Sequence, residues 1–252
     1  MIRLLDQMLF TSLAKKPILL DLCCGSGGTT KGYQRAGFYV VGVDIKFQPR
    51  YCGDEFYQAD LFDFVRNTDL ERFTAIHVSP PCQGYSITWG LHKRDYPKLV
   101  ESVRAALIQT GKPYIIENVP GAPLINPVML CGTMFGLKVI RHRLFECSPS
   151  ITFAPATCRH EGYATGNRAE RVKGSTRTPT LSDGFSYVTV AGNNYIKAEG
   201  AEAMGIDWMT RAELSQAIPP AYTEWLGRQI LLLHKEKLYE TDYRDHPTGL
   251  VS

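Results

Sequence analysis

Cys82 stands directly after two prolines, in the run Ser-Pro-Pro-Cys-Gln at 79–83. The apolar residues 75–78 before this run predict a buried strand, which places Cys82 just beyond the strand's carboxyl end. A free cysteine is only a few per cent thiolate at neutral pH, so a nucleophilic cysteine needs help from its neighbours. We interpret Cys82 as a candidate nucleophile, with a packed structural thiol as the alternative. Three other cysteines are interpreted as packed thiols: Cys24, Cys52 and Cys131.

Glu117 and Asn118 follow a second apolar run, at 113–116, that predicts another strand of the same kind. A glutamate at such a strand end is partly desolvated, which raises its pKa and suits it to donate a proton to a base. A helix N-cap or a surface acid is the alternative interpretation of Glu117.

A glycine-rich turn, Asp-Leu-Cys-Cys-Gly-Ser-Gly-Gly at 21–28, follows the first predicted strand and precedes a helix. Glycines let the backbone approach a ligand closely, and a helix start offers free N–H groups. The turn matches neither the dinucleotide fingerprint nor a phosphate-binding loop. Asp44, at the end of the next strand, suits a ribose diol, and Asp60 suits the exocyclic amine of an adenine. We interpret the set as a site for a nucleoside-containing cofactor, with a purely structural turn as the alternative.

These residues need a sheet that brings strand ends together. Apolar runs predict strands and the stretches between them predict helices. The strands are predicted at 17–24, 39–43, 57–60, 75–78 and 113–116, and the helices at 29–36, 61–67 and 98–110. This alternation predicts an α/β fold with a doubly wound, mostly parallel sheet.

The second half of the chain is less regular. Residues 149–194 are rich in Gly, Thr, Ser, Pro and Arg and predict a small irregular lobe. Further helices are predicted at 1–16, 198–204, 211–216 and about 222–235. We therefore predict a catalytic domain formed by 1–148 and 195–236, an insert at 149–194 and a loose tail at 237–252.

Composition is that of a soluble globular protein, with 44% hydrophobic and 21% charged residues, and no apolar run approaches the roughly 20 residues that span a bilayer. Seven scattered cysteines without a secretory signal favour reduced thiols in a cytoplasm. The net charge is only +3, but Lys138 to Arg177 holds eight basic and three acidic residues. This local net charge of +5 favours a polyanionic partner.

The motifs occur in the order DLCCGSGG, VDI, Asp60, PPCQGYS, IENV and RHRLF, between about 17 and 146. In this order they resemble the cytosine-5 DNA methyltransferase family, and a weaker match follows near 198–227. The resemblance implies that the cofactor is S-adenosylmethionine. It also implies that the substrate is a cytosine flipped out of double-stranded DNA and methylated on carbon 5.

The resemblance also implies roles for individual residues. Cys82 would add to carbon 6 of the cytosine, and Glu117 would protonate or hydrogen-bond ring nitrogen 3. Arg143 would bind the cytosine carbonyl oxygen, Arg141 would help to hold the site, and Asn118 would orient the loop around Cys82. The implied cofactor residues are Asp21, Cys23, Gly25, Ser26, Gly27, Gly28, Asp44, Ile45, Asp60, Leu61, Pro81 and Gln216. The implied DNA contacts, some of them on a closing loop at 83–94, are Gln83, Ser86, Arg94, Arg159, Arg168, Arg171, Lys173 and Arg177.

Several positions depart from the family pattern. Cys23 replaces the aromatic residue that usually packs on the adenine, and Asp44 is shorter than the usual Glu. Val139 replaces the Gln that begins the arginine motif, and Ser215-Gln216 replaces a Gly-Asn pair. These departures affect the wall of the cofactor site and leave Cys82, Glu117 and the paired arginines in place.

Other functions stay open at this point. The alternatives are a methyltransferase of transfer RNA, a catalytically silent DNA- or cofactor-binding homologue, and an enzyme that transfers a different group to carbon 5. The short lobe predicts a short or permissive target sequence, since each base contact contributes about 1–3 kcal/mol of discrimination. We expect a monomer in the cytoplasm of a bacterium or a phage-infected host. The protein would act in restriction–modification or, as the small lobe favours, in masking a viral genome.

A metal site is not predicted, because the cysteines lack a tight Cys-x-x-Cys pair. The alternative weighed against this is a zinc site formed by Cys147, Cys158 and His160, with Cys131 as a further ligand.

Overall fold

A computed structural model describes residues 16–85, 96–151, 153–165, 180–192 and 195–245. Its centre is a seven-stranded sheet with the strand order β3-β2-β1-β4-β5-β7-β6. The strands are β1 (Ile18–Leu22), β2 (Tyr39–Asp44), β3 (Glu55–Gln58), β4 (Ala75–Val78), β5 (Tyr114–Asn118), β6 (Val128–Leu130) and β7 (Arg143–Ser148). The helices are α1 (Gly28–Ala36), α2 (Leu61–Asn67), α3 (Val100–Thr110), α4 (Lys197–Met204), α5 (Arg211–Gln216) and α6 (Pro220–Asp245).

The first five strands are parallel, and β7 is antiparallel to both β5 and β6. Leu22 at the end of β1 is in register with Val43 of β2 and Val78 of β4. The carboxyl ends of these strands therefore share one edge, where the loops at 23–28, 44–46 and 79–85 begin. The predicted doubly wound, mostly parallel α/β fold is confirmed.

Both faces of the sheet are covered, which explains why the strands read as continuous apolar runs. Leu19 of β1 faces a core that includes Tyr33 of α1 and Leu226 of α6. The next residue, Leu20, faces the opposite core with Phe64 of α2 and Val103 of α3. Alternate side chains of a strand point to opposite faces, so one apolar strand serves two helical layers.

Three elements differ from the sequence prediction: the strands β6 and β7 and the last helix. The strands β6 and β7 were not predicted, because β6 has only three residues and β7 begins inside a motif chosen for its charges. The last helix starts at Pro220 and continues to Asp245, so 237–245 is helical rather than a loose tail. Proline suits the first position of a helix, and neither Gly nor Pro occurs between Gly227 and Pro247 to end it.

The insert is irregular where it is described. At 153–165 and 180–192 it contains one short 3₁₀ helix, Leu181–Asp183, and isolated bridges, one of which pairs Val188 with Val139. The domain boundaries stay predictions, and the predicted helix at 1–16 falls almost wholly outside the described residues. No helix in the described part of the chain is long and apolar enough to cross a membrane.

Candidate active site

The loop at 79–85 carries Cys82 past the end of β4, next to the end of β5. Asn118, the last residue of β5, is fully buried and donates its side-chain amide to the carbonyl of Pro80 at 3.1 Å. The amide oxygen of Asn118 also accepts the N–H of Val119 at 2.9 Å. This side chain therefore joins the prolines before Cys82 to the loop that follows Glu117.

Glu117 is 5% exposed and lies beside Arg143 at the start of β7, which pairs with β5. Arg143 Nε lies 3.1 Å from Glu117 Oε1, an ion pair without the angle of a hydrogen bond. Burial raises the pKa of Glu117 although the charges of Arg143 and Arg141 lower it. Glu117 Oε1 is buried and has no hydrogen-bond partner among the described residues, so it is available to a donor outside the protein.

Arg141 is held almost entirely by backbone carbonyl groups. Its guanidinium donates to the carbonyl of Val190 in the insert and to that of Ser215 in α5, both at 2.8 Å. Burial lowers the pKa of Arg141 to about 9, and the charge of Arg143 acts in the same direction. Arg141 thus fixes the insert against the core and adds positive charge close to Glu117 and Cys82.

Cys82 is half-buried, and its electrostatic surroundings are mixed. Burial and the negative charge of Glu117 raise its pKa, whereas Arg143 and Arg141 lower it. A protonated Glu117 would remove the opposing charge and leave two arginines to favour the Cys82 thiolate. Protonation of Glu117 would therefore lower the pKa of Cys82, while burial continues to raise it.

A buried chain of polar side chains, not found from the sequence, ends at Glu117. Tyr33 Oη lies 2.9 Å from His77 Nδ1, and His77 Nε2 lies 3.0 Å from Ser79 Oγ. The Ser79 hydroxyl hydrogen-bonds to Glu117. Burial lowers the pKa of His77 to about 3, so the imidazole is neutral at physiological pH and one of its nitrogens is a donor. Ser79 at the strand end was a visible signal, but pairing it with a histidine two residues earlier required the fold.

The glycine-rich turn forms the second half of this edge. Gly25 and Gly27 have φ angles of +49° and +87°, which favour glycine. At position 28 glycine is required by close packing rather than by φ, because a Cβ there would lie 2.5 Å from the carbonyl oxygen of Ile218. The turn is closed by the N–H of Gly25, which donates to Asp44 Oδ2 at 3.0 Å.

Asp21 fixes the glycine-rich turn to the start of α1 through hydrogen bonds. It is fully buried, and its Oδ2 accepts the hydroxyls of Thr29 at 2.7 Å and Thr30 at 2.6 Å. Its Oδ1 has no partner among the described residues. Desolvation raises the pKa of Asp21 to about 6.

The acids expected to bind a nucleoside lie around Cys23. Burial, followed by the charges of Asp44, Asp21 and Asp60, raises the pKa of Cys23 to about 12, so these three carboxylates share its surroundings. Asp60 caps α2, with Oδ1 accepting the N–H groups of Phe62 and Asp63 at 2.8 and 3.2 Å. This edge therefore favours a ligand that carries hydroxyl groups and positive charge.

Ile45 extends the same edge with an apolar surface. It is 65% exposed beside Asp44, whereas Leu61 is buried and Pro81 is half-buried. An exposed isoleucine next to carboxylates suits an adenine ring, which has apolar faces and a polar rim. The residues present thus fit a nucleoside cofactor.

Residues 208–218, from the last part of the chain, also lie at this edge. Gln216 is exposed at the end of α5, and the segment after it contacts Gly28. Trp208 was not predicted, yet its indole Nε1 donates to the carbonyl of Ser26 at 2.8 Å and Lys31 lies over its ring. No local pattern marks Trp208, because the contact joins residues 182 positions apart.

Only two of the expected DNA contacts can be placed. Gln83 is exposed beside Cys82, and Arg159 is exposed in the insert. The others fall outside the described residues: Ser86, Arg94, Arg168, Arg171, Lys173 and Arg177.

The fold is similar to that of solved methyltransferase structures. A protein of an Escherichia coli prophage, described as a DNA modification methyltransferase, superposes with a TM-score of 0.57 at 15% identity, covering 87% of this chain and 99% of that chain. The Dnmt2 methyltransferase of Schizosaccharomyces pombe superposes with a TM-score of 0.53 at 13% identity, covering 86% and 98%. At these identities the likeness defines the fold.

Sequence comparison gives a partial match. The type II methyltransferase M1.HphI of Haemophilus parahaemolyticus is 27% identical over 120 residues, which is 40% of this chain. The match spans 32% of that protein's length. No protein-family model matches the chain.

Proposed function

We propose that this protein is a DNA (cytosine-5-)-methyltransferase that uses S-adenosylmethionine. The observation that carries the proposal is the meeting of a cysteine, a carboxyl group and two arginines at one sheet edge. Cys82, Glu117, Arg141 and Arg143 influence one another electrostatically there, and Glu117 Oε1, paired in charge with Arg143, is buried without a hydrogen bond among the described residues. Such a group needs a hydrogen-bond donor, and the protonated ring nitrogen or exocyclic amine of a cytosine supplies one.

Cys82 and Glu117 would activate the base together. The Cys82 thiolate forms a bond to carbon 6 while Glu117 gives its proton to ring nitrogen 3, so the ring becomes an electron-rich enamine at carbon 5. Arg143 would bind the carbonyl oxygen of the ring. After carbon 5 has gained a methyl group, its proton passes to solvent and the electron pair left behind expels Cys82 as a thiolate. Ring nitrogen 3 then returns its proton to Glu117.

The acidic half of the edge would hold the cofactor. Asp44 and Asp60 would bind its ribose and adenine, with Ile45 against the ring. S-Adenosylmethionine, when bound, supplies the methyl group from a positively charged sulfur, a charge that suits the surroundings of Asp21 and Asp44. The proposed site therefore separates a cation-binding half from a nucleophilic half along one strand edge.

The partner would be double-stranded DNA with an extruded cytosine, since the target atom cannot be reached inside a duplex. Extrusion costs a few kcal/mol, which contacts from Gln83, Arg159 and the rest of the basic insert would offset. The small insert supports a short or permissive target sequence. One long, strict motif in the methylome of a host expressing the protein would contradict that part of the proposal.

The test incubates purified protein with S-adenosylmethionine and unmethylated duplex DNA of mixed sequence, followed by nucleoside mass spectrometry. We expect 5-methylcytosine from the wild type and from Cys147→Ala, a matched change at a buried cysteine in β7, and none from Cys82→Ala. DNA containing 5-fluorocytosine should trap a denaturant-stable complex with the wild type and with Cys147→Ala but not with Cys82→Ala, because the fluorine on carbon 5 cannot leave as a proton does.

Different outcomes separate the alternatives. Product on transfer RNA and none on DNA would show that the substrate is transfer RNA rather than DNA. Methylation by Cys82→Ala at the wild-type rate would refute the nucleophile. Retained binding of S-adenosylmethionine without product on either nucleic acid would favour a silent homologue.

A further inference from the structure

Four side chains with metal-ligating atoms meet beside the candidate active site: Cys131, His142, Cys158 and His160. Their ligand atoms all lie within 4.8 Å of one another. Two thiols and two imidazoles are a donor set typical of structural zinc sites. Cys147, which the sequence alternative included, is absent from this group, and its Sγ faces the carbonyl of Phe145 at 3.8 Å.

The separations match a tetrahedral site. Zinc bonds of about 2.3 Å to sulfur and 2.0–2.1 Å to nitrogen place a sulfur and a nitrogen ligand about 3.6 Å apart. Cys131 Sγ lies 3.4 Å from His160 Nε2, and His142 Nε2 lies 3.4 Å from Cys158 Sγ. Cys158 Sγ and His160 Nε2 are 3.0 Å apart. One ion can therefore reach all four atoms with small side-chain adjustments.

The surroundings suit a metal with thiolate ligands. The hydroxyl of Thr133 lies 3.5 Å from Cys131 Sγ and 3.8 Å from Cys158 Sγ, where it can donate to a thiolate. Hydrogen bonds of this kind orient ligands and adjust their basicity. Two thiolates also balance the double charge of the ion, so the bound site is neutral.

The four ligands come from separate parts of the fold. Cys131 is buried directly after β6, and His142 lies between Arg141 and Arg143. Cys158 and His160 belong to the insert, on either side of the exposed Arg159. A shared ion would thus fasten the insert to the segment that carries both arginines of the candidate active site.

We propose that Cys131, His142, Cys158 and His160 bind one zinc ion that holds the insert against the 141–143 segment. Metal binding itself does not depend on the proposed methyltransferase activity. Its positioning effect on Arg143 rests on that activity, so the two parts are tested separately.

The first experiment measures metal in protein purified from zinc-supplemented cells. We expect about one zinc per chain in the wild type and in Cys147→Ala, and less than a tenth of that in Cys158→Ala and His160→Ala. His160 is exposed, so its replacement removes a ligand without opening the core. Circular dichroism of each variant checks that the sheet is retained.

A second readout identifies the ligands. Cobalt substituted into the wild type should give the intense visible absorption of a tetrahedral site and a sulfur-to-metal band in the near ultraviolet. Both bands should weaken in Cys158→Ala. His160→Cys keeps four ligands, so it should bind the metal where His160→Ala does not, and its sulfur band should be stronger. Mass spectrometry after alkylation tests the competing arrangement, a disulfide between Cys131 and Cys158.

Three results would overturn the inference: wild-type protein without stoichiometric metal under zinc supplementation, equal metal in the wild type and both ligand variants, or a quantitative Cys131–Cys158 disulfide. If metal binds, chelation should lower methyl transfer, and added zinc should restore it. Binding without any change in a measured activity would leave the metal site standing and refute its positioning effect.

Discussion

The two halves of the carboxyl edge both place half-buried cysteines beside carboxylates, yet they differ in charge. Around Cys23, the carboxylates of Asp44, Asp21 and Asp60 add to burial, and the pKa rises to about 12. Around Cys82, the carboxylate of Glu117 is opposed by Arg143 and Arg141. The acids around Cys23 all oppose its ionisation, whereas at Cys82 the two arginines favour the thiolate against burial and the charge of Glu117.

The comparison also separates two uses of a buried carboxyl group. Asp21 has two threonine hydroxyls on one oxygen and organises the turn, whereas Glu117 Oε1 has only the ion pair with Arg143 and no hydrogen bond among the described residues. Burial raises the pKa of both. The raised pKa is a cost to folding at Asp21 and, in the proposed reaction, the property that lets Glu117 carry a proton.

The largest expected effect is that of Glu117→Gln on methyl transfer. Loss of a proton donor in the transition state lowers a rate by roughly 10²–10⁴-fold, and we expect kcat to fall in that range with binding of S-adenosylmethionine unchanged. Measured against pH, the wild-type rate should fall at high pH as Glu117 deprotonates, and the glutamine variant should lack this limb. Glu224→Gln, at a half-buried acid on α6 that pairs with Arg228, is the control, and an equal loss there would contradict the assignment.

Asp21 predicts a pH dependence of stability. Its pKa is raised from 3.8 to about 6 in the folded protein, so its contribution to stability is fully present below pH 3.8 and is lost as pH rises through 6. At one pKa unit per 1.36 kcal/mol, the free energy of unfolding should fall by up to about 3 kcal/mol over this window from Asp21 alone. Denaturant titrations at pH 5 and 7.5 should show a smaller fall for Asp21→Asn than for the wild type. The control Asp63→Asn, at an exposed acid on α2, should behave like the wild type. An equal fall in the free energy of unfolding between the two pH values in all three proteins would contradict the raised pKa of Asp21.

Arg143 should change the reactivity of Cys82 and leave that of Cys23 unchanged. In a Glu117→Gln background, Arg143→Met removes a favourable charge without freeing a carboxylate, and the pKa of Cys82 should rise. A rise of one unit lowers the thiolate fraction, and thus the alkylation rate at pH 7.5, about tenfold. Peptide-resolved mass spectrometry of iodoacetamide labelling measures this, with Arg228→Met on α6 as the matched change. Equal labelling of Cys82 in the two variants would show that Arg143 does not act on it.

The smallest expected effect is that of Ser79→Ala. It removes the hydroxyl that links His77 to Glu117, and one hydrogen bond contributes about 1 kcal/mol, or about fivefold. We expect kcat to fall by this factor with KM unchanged, and the alkaline limb of the pH profile to move because the pKa of Glu117 rises. Ser79→Thr should keep the wild-type profile, since it retains the hydroxyl. An unchanged alkaline limb in Ser79→Ala would show that the chain from Tyr33 through His77 to Ser79 does not affect the pKa of Glu117.

The sequence by itself determined the strand that precedes Cys82 and the strand that carries Glu117. Apolar runs before Cys82 and Glu117 predict β4 and β5, because a strand covered on both faces must be apolar throughout. The turn at 21–28 was equally visible, since Gly25 and Gly27 adopt φ angles that favour glycine. These are local constraints, which a short stretch of sequence expresses in full.

Only the tertiary structure decided which distant side chains meet. The chain from Tyr33 through His77 to Ser79, the contact of Trp208 with Ser26, and the four-residue cluster around His142 each join residues from separate elements. From the sequence, His142 is only the middle residue of the RHRLF motif, and the alternative zinc site includes Cys147 where the cluster has His142. Such contacts depend on strand order, here the antiparallel insertion of β7 between β5 and β6, and no local spacing encodes that order.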